Sequence, residues 1–325
     1  MQLKVLSTDV ARNFSFGADC MSHKRSSNDV VRYPNETIRL LFERSSCRDF
    51  LDKKIPADVL RLVLEAGIHA PTAGNLQPYS IIKIEDSEMK QKLAGMCEQS
   101  FIGKAPVLLL FCIDLHRIGR WASLSVAPFT ATSSFRHFWV SFQDAIICAQ
   151  NICTAADSMG LGSVYIGTVI EKPADIQAMF KLPKEVFPVV LLCMGYPTAR
   201  PTSRKKLPVD VVVHSEHYRE IEDQELLAAY EKKYPDYKLE VTEERLETIL
   251  KVCRQVHGEE FAKKCAERIK GDGYINRVQN YFGLHYRADL MPEGNDEYLR
   301  LIEEFGFNWF KKYVPPTAVS KAQQK

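Results

Sequence analysis

Residues 105–114 have the sequence APVLLLFCID, and this stretch decides the class of fold. Every residue between Pro106 and Asp114 is apolar, with no polar residue at alternate positions. A strand of this kind is normally covered on both of its faces. The stretch 187–197, FPVVLLCMGYP, has the same character and is predicted to be another central strand. We therefore expect a central sheet with helices on both faces.

Outward from these strands, apolar runs at strand spacing alternate with runs at helical spacing. Helices are predicted after Asn35, a suitable N-cap, after Pro56, and over residues 137–159, where Gly160 supplies a left-handed stop. The helix after Pro56 is apolar almost all round, so we expect it to be buried. The pattern is that of an α/β or α+β protein. Other predicted strands are 80–84 (SIIKI), 163–167 (SVYIG) and, as an edge strand, 210–214 (DVVVH).

Three parts are distinguished along the chain. Residues 1–34 are irregular in pattern, and residues 35–235 contain the alternating strands and helices. Residues 236–325 are predicted to be a helical C-terminal appendage, because stretches such as TEERLETILKVCRQVHG (242–258) are apolar at helical spacing. Amphipathic helices need a surface on which to bury their apolar side. We therefore expect the appendage to pack against something.

The composition excludes several classes of protein. The net charge of +2 on 325 residues indicates neither a nucleic-acid surface nor a membrane surface. The first twenty residues lack the apolar core of a signal peptide, and no stretch of 18 apolar residues occurs. Several of the nine cysteines lie inside apolar runs, which predicts a reduced, cytoplasmic protein. His214 and His217 lack partners at ligand spacing, so no metal is expected.

Two clusters of basic residues are suited to binding phosphate. Arg44, Ser45, Ser46 and Arg48 lie within five residues at the end of a predicted helix, where they offer planar charged donors and hydroxyls. A second basic cluster, residues 204–206, follows the strand at 187–197. Either cluster taken alone could be a solvated surface loop.

The loop APTAGNLQPY (70–79) is long for a connection between a helix and a strand. Gly74 allows close approach of the backbone to a ligand. Asn75 and Gln77 each pair a donor with an acceptor, as needed to bind an imide edge. The glycine-rich stretch GLGSVYIGT (160–168) could place a backbone N–H against a flat ligand, although it lacks the dinucleotide-binding spacing. The alternative for residues 70–79 is simply a long loop.

Together with their flanks, these stretches resemble the nitroreductase superfamily, closest to its NADPH-dependent nitroreductase/flavin reductase branch. The resemblance covers residues 36–235. It implies an α+β fold of three layers around a central mixed sheet, an FMN-binding domain over residues 35–235, and a homodimer. In chain order, the matching stretches are ERSSCRDF (43–50), LEAGIHAPTAGNLQPYSIIKI (64–84), APVLLLFCIDLHR (105–117), AADSMGLGSVYIG (155–167), LPKEVFPVVLLCMGYP (182–197) and RKKLPVDVVVHSEHY (204–218).

The resemblance implies a role for each matching residue in binding FMN. The residues matched to the phosphate and ribityl chain are Arg44, Ser45, Ser46, Arg48, Arg204 and Lys206. Those matched to the loop along the flavin ring are Thr72, Asn75 and Gln77. Gln99 falls where the family often has a flavin-contacting glutamine. The segment expected against the other face of the ring is Tyr165, Ile166, Gly167 and Thr168.

The implied activity is that of an NAD(P)H-dependent flavin oxidoreductase. A ping-pong hydride transfer through flavin N5 would use NADPH or NADH and reduce a flat, electron-poor acceptor of the nitroaromatic, quinone or flavin type. No side chain is expected to be catalytic itself. The alternatives are another flavin reaction on the same fold, such as dehalogenation or dehydrogenation, and a non-enzymatic FMN-binding or interaction protein.

The sequence departs from the family pattern in three places. Ser45 stands where arginine is common, and Lys206 where the close branch has arginine. The stretch 119–136 is unlike the family, in a region that often borders the substrate. The appendage does not match the basic loop with which the close branch binds NADPH.

Overall fold

A computed structural model describes residues 33–315, together with the backbone of residues 22–24 and 30–32. Most of the predicted irregular segment, residues 1–34, lies outside this description. Within it, Ser22–Lys24 (β1) and Val30–Arg32 (β2) pair as a short antiparallel ladder.

The helices and strands alternate along most of the described chain. The remaining elements, in order, are α1 (Glu36–Glu43), α2 (Ala57–Ile68), β3 (Tyr79–Ile84), α3 (Ser87–Met96), α4 (Phe101–Lys104), β4 (Val107–Asp114), α5 (Leu115–Leu124), α6 (Phe135–Ser158), β5 (Gly162–Ile166), α7 (Pro173–Phe180), β6 (Val186–Gly195), α8 (Val209–Val212), α9 (Asp223–Lys233), α10 (Glu243–His257), α11 (Glu259–Asp272), α12 (Arg277–Asn280) and α13 (Asn295–Glu304).

The main sheet has the strand order β3-β4-β6-β5, and every neighbouring pair is antiparallel. The predicted mixed sheet is therefore wrong for these four strands, because alternation of strands and helices along a chain does not determine strand direction. Beside the sheet, Ser46 and Ser163 form an isolated bridge, and this bridge is parallel.

The predicted edge strand at residues 210–214 is also wrong. Val209–Val212 forms a single helical turn after Pro208, and the side chains of Val209, Val212 and Val213 are exposed. A short run of valines satisfies a strand pattern, but it becomes a strand only where another strand offers hydrogen bonds.

The central strand β4 is covered on both faces, as its sequence predicts. All eight of its residues are buried. Leu109, Phe111 and Ile113 belong to one hydrophobic core, whereas the alternate residues belong to a second core on the other face. A register shift between Phe111 and Cys112, opposite β6, interrupts the ladder locally.

Helices on the two faces of the sheet complete the three layers. On one face, Leu60 and Val63 of α2 pack with Ile152 of α6 in the first core. On the other face, α3, α4 and α7 contribute their apolar residues to the second core. The α+β class and the layered architecture are confirmed.

Helix α2 is less buried than its sequence predicts. Leu62 is 54% exposed and Ile68 is 45% exposed. The neighbouring helix α6 also exposes large apolar side chains, among them Phe135, Trp139 and Ile147. Packing within the described residues of one chain therefore does not explain why these positions of α2 and α6 are apolar.

Residues 236–315 contain two differently packed parts. Ile249, Ile269 and Ile275 form a small core of their own between α10, α11 and the following turn. Further along, Phe305 and Phe307 return to the main core. The ring of Phe307 lies 5.1 Å from that of Phe138.

Among the described residues, no helix is both long and apolar enough to cross a lipid bilayer. The eight described cysteines are free thiols.

Replacing Phe307 by alanine tests the role of the C-terminal segment in the main core. Phe307 is fully buried, so the Phe307→Ala variant is expected to lose about 3–5 kcal/mol of unfolding free energy. Leu227→Ala, at an exposed position of α9, should change it by about 0.5 kcal/mol or less. Urea denaturation measures both values, and similar losses in the two variants would contradict the assignment.

Candidate active site

The loop at residues 70–79 has an unusual backbone. Gly74, Asn75 and Gln77 have φ angles of 57°, 54° and 49°. For residues other than glycine, the left-handed region costs about 1–2 kcal/mol. Such strain persists only where surrounding contacts impose the conformation, and it is concentrated at functional sites.

Contacts from distant parts of the chain impose this conformation. The buried carboxylate of Asp144, on α6, accepts the Ala73 N–H at 3.2 Å. Within the loop, the Gln77 N–H donates to Thr72 Oγ1 at 3.3 Å. The guanidinium of Arg117, on α5, donates to the carbonyl oxygens of Gln77 at 2.5 Å and Tyr79 at 2.9 Å. The loop is thus held from two helices, with Asn75 and the backbone of Gly74 exposed.

The segment 44–48 runs beside β5. The Cys47 N–H donates to the Ser163 carbonyl at 3.0 Å. Gly162 makes this approach possible, because a Cβ there would lie 2.6 Å from Cys47 Sγ. The structure therefore places residues 44–48, the first predicted basic cluster, next to β5, which contains Tyr165 and Ile166.

A buried carboxylate anchors the first of these basic residues. Asp157, near the end of α6, forms ion pairs with Arg44 at 3.4 Å and with Arg200 at 2.8 Å. Arg200 also donates to the Leu161 carbonyl at 2.5 Å. The shared carboxylate holds two guanidinium groups at the same end of β5.

Several buried polar atoms at this end lack hydrogen-bond partners among the described residues. They include Nη2 of Arg44, Oγ of Ser45 and the hydroxyl of Tyr165. Burial raises the pKa of the Tyr165 phenol, so its hydroxyl stays protonated and can donate. Unpartnered buried donors are costly unless a ligand or water satisfies them. This set fits an anion with further hydroxyl oxygens, as in a phosphate joined to a polyol chain.

The end of β5 is open to close approach. Gly167 is exposed, and a Cβ added there would meet no atom within 4 Å. Beside it, Gln99 Nε2 donates to Thr168 Oγ1 at 3.3 Å, which links two of the predicted site residues. Ile166, between Tyr165 and Gly167, is buried in the second core.

The second basic cluster is exposed to solvent. Arg204 and Lys206 are exposed. The pKa of Tyr281 is lowered, first by a hydrogen bond from Arg277 and to a smaller extent by the charge of Arg204. Arg204 is therefore near residues 277–281.

Four residues at the site were not predicted from the sequence to function there. They are Asp144 and Asp157 on α6, together with Arg117 and Arg200. The signal available was an aspartate on the otherwise apolar side of α6, since a buried carboxylate needs hydrogen-bond partners.

A cavity of about 400 Å³ lies next to the strained loop. Leu76 of that loop borders it, and the rest of its wall comes largely from residues 118–137. Trp121 and Phe129 supply aromatic rings, whereas Ser134 and His137 supply polar groups. The stretch 119–136, where the sequence departs from the family pattern, therefore forms most of this wall.

The fold is that of an α+β protein with helices on both faces of a four-stranded sheet. The chain belongs to the nitroreductase family, whose family model, "Nitroreductase family", matches residues 41–196.

Two characterised relatives and a solved structure show the extent of the similarity. An oxygen-insensitive NADPH nitroreductase of Salmonella typhimurium is 31% identical over 204 residues, which are 62% of this chain and 82% of that protein. An FMN reductase (NAD(P)H) of Bacillus subtilis is 33% identical over 208 residues, or 62% and 83% of the two chains. The NADPH:FMN oxidoreductase from Vibrio harveyi complexed with NAD+ has a TM-score of 0.57 at 26% identity, covering 74% of this chain and 98% of its own.

The charge of Asp144 should make stability depend on pH. Burial raises the pKa of this carboxyl, and the hydrogen bond from Ala73 acts in the opposite direction. A carboxyl with a raised folded pKa binds more protons in the folded state than in the unfolded state. Unfolding free energy therefore falls as pH rises from the unfolded value of about 3.9 through the folded pKa.

Asp144→Asn keeps an oxygen acceptor for Ala73 and removes the charge. The fall of unfolding free energy with rising pH should therefore disappear in this variant. Urea denaturation at a series of pH values measures it. Asp144→Ala, which also removes the acceptor, should be less stable than Asp144→Asn throughout. A wild-type pH profile in the asparagine variant would show that another group is responsible.

Proposed function

We propose that this chain is an FMN-dependent oxidoreductase that uses NADPH or NADH to reduce a flat, electron-poor acceptor of the nitroaromatic, quinone or flavin type. The observation that carries the proposal is the group of unpartnered buried polar atoms on Arg44, Ser45 and Tyr165, together with the strained polar loop that Asp144 holds. The names of the relatives support it, since they include an NADPH nitroreductase and an FMN reductase.

FMN, when bound, supplies the redox chemistry, because its N5 accepts a hydride and passes reducing equivalents to the acceptor. The protein contributes binding and orientation. Arg44, Ser45, Ser46 and Arg48 bind the phosphate and ribityl end, and Asp157 holds Arg44 in place. Thr72, Asn75 and Gln77 lie along one side of the ring.

On the other side, the segment from Tyr165 to Thr168 presents the open backbone at Gly167. Gln99 supports this segment through Thr168. Arg204 and Lys206 are proposed to complete the phosphate site. Because both side chains are exposed, they are free of the core and their loop can supply charge at the site.

No side chain is needed as a general base in this scheme. Asp144 is buried, and its carboxylate is used by the loop. The Tyr165 phenol has a raised pKa and acts as a donor. The cavity beside Leu76 gives the acceptor an apolar and aromatic wall, which suits a planar molecule.

We further propose a homodimer in which α2 and α6 form the interface. These packed helices expose Leu62, Ile68, Phe135, Trp139 and Ile147. Contiguous exposed apolar surface on a folded chain marks an interaction site. Location in the cytoplasm remains a prediction from the sequence.

The central experiment is the visible spectrum of the purified protein. A flavin band that bleaches on anaerobic addition of NADPH or NADH, and returns with a quinone or nitroaromatic, is expected. A flavin band that neither nucleotide bleaches would favour another flavin reaction or a non-enzymatic role. Colourless protein that also fails to take up added FMN would overturn the proposal.

Charge substitutions at the phosphate end should distinguish FMN from riboflavin. Charge-assisted hydrogen bonds contribute about 1.5–3 kcal/mol, so Arg48→Ala or Arg204→Ala should weaken FMN binding about tenfold to a hundredfold. Riboflavin lacks the phosphate and should bind nearly unchanged. Titration of apoprotein with each ligand measures this.

The control is Lys205→Ala, which removes a neighbouring charge not matched to the site and should leave FMN binding nearly unchanged. Equal weakening of FMN and riboflavin in either arginine variant would show that the residue acts on the ring or on the fold.

The dimer interface is tested by placing charge on the exposed faces of α2 and α6. Leu62→Glu and Trp139→Glu should shift the protein towards monomer, because an unpaired carboxylate in an apolar interface is costly. Leu227→Glu, at an exposed position of α9, is the control. Sedimentation velocity at micromolar concentration measures the distribution, and an unmodified protein that sediments as a monomer would refute the dimer.

A further inference from the structure

A second cavity lies in the helical part of the appendage, and neither the loop at residues 70–79 nor β5 lines it. Its volume is about 450 Å³, within the range of about 300–1,000 Å³ typical of small-molecule sites. Helices α10 and α11 form two walls, and residues 278–288 form the third. Its apolar lining comprises Ile249, Val252, Val256, Phe261, Val278 and Phe282.

Part of this lining remains in contact with solvent. Phe261 is 47% exposed and Phe282 is 49% exposed, and Val256 and Val278 are similarly open. Ile249 and Val252, by contrast, are buried at the base. An apolar hollow with an open rim gains free energy when an apolar molecule covers it.

The lining of the cavity contains basic residues and no carboxylate. The basic residues are His257, Lys264 and Arg268. The acidic residues at the start of α11 are already paired, Glu259 with Arg254 at 3.0 Å and Glu260 with Lys263 at 3.2 Å.

Lys264 differs from the other basic residues of the lining in its contacts. Arg268 is neutralised by Asp272 at 2.7 Å, and the His257 ring packs against Phe261 at 4.5 Å. Within residues 33–315, the Lys264 ammonium has no ion-pair partner closer than 4.0 Å. A lysine at an apolar hollow whose lining contains no carboxylate complements a ligand with one negative charge and an apolar body.

We propose that this cavity binds an amphipathic monocarboxylate, with its apolar chain between α10 and α11 and its carboxylate at Lys264. The site does not depend on the proposed flavin chemistry, since none of its lining residues belongs to the flavin site. It gives the appendage a ligand-binding role of its own.

Decanoate, decanol and decylamine test the proposal, because they share an apolar chain and differ in the head group. Calorimetric titration of the full-length protein as purified should give one decanoate site per chain. Decanol should bind about tenfold more weakly, by the loss of one charge-assisted hydrogen bond, and decylamine more weakly still. Shortening the carboxylate should weaken binding about fourfold for each methylene removed.

Two lysine variants distinguish an effect of the Lys264 charge from an effect of the protein's net charge. Lys264→Gln should weaken decanoate about tenfold and leave decanol unchanged. Lys263→Gln removes the neighbouring lysine, which is outside the cavity lining, and should change neither. Val256→Trp should fill the cavity and weaken all three ligands, while an unchanged far-ultraviolet spectrum shows that the helices persist.

Four outcomes would overturn the proposal. Equal affinity for decanoate and decanol, or equal effects of the two lysine variants, would remove the role of Lys264. Absence of binding by all three probes would show that the hollow is not a ligand site. Binding of one decanoate per two chains would place the ligand between two copies instead.

Discussion

The burial of β4 and β6 on both faces is the constraint on which the rest of the structure depends. All residues of these two strands are buried, and each large apolar side chain removed from water contributes about 1.5–3 kcal/mol. Two separate cores are therefore needed, one on each face. The layer of α2 and α6, the layer of α3, α4 and α7, and the return of Phe305 and Phe307 to the main core all satisfy this requirement.

Helix α6 connects this core to the candidate site. Most of its inward residues are apolar, but Asp144 and Asp157 are buried among them. A buried carboxylate requires strong donors, and these come from Ala73 at one position and from Arg44 and Arg200 at the other. The same helix that fills the core therefore holds both the strained loop and the first basic cluster, so a rigid interior fixes the positions of polar groups at two places.

The first part of residues 236–315 packs around its own small core, and the last part packs into the main core. The small core of isoleucines lies away from the sheet, whereas α13 and the following phenylalanines are part of the main core. The rings of Tyr234, Tyr237 and Tyr281 surround Arg277. This arrangement leaves the appendage free to carry a site of its own while remaining fixed to the nitroreductase fold.

The sequence by itself determined the local elements: the Asn35 cap, the long helix α6, the doubly covered β4 and the loop at residues 70–79. These depend on short-range patterns of apolar side chains and on backbone preferences. Strand direction, the helical turn at Val209–Val212, the exposure of Leu62 and the partners of Asp144 and Asp157 were decided only by the tertiary structure. Each depends on groups far apart in the chain, such as Ala73 and Asp144, and no local pattern specifies which distant donor meets which carboxylate.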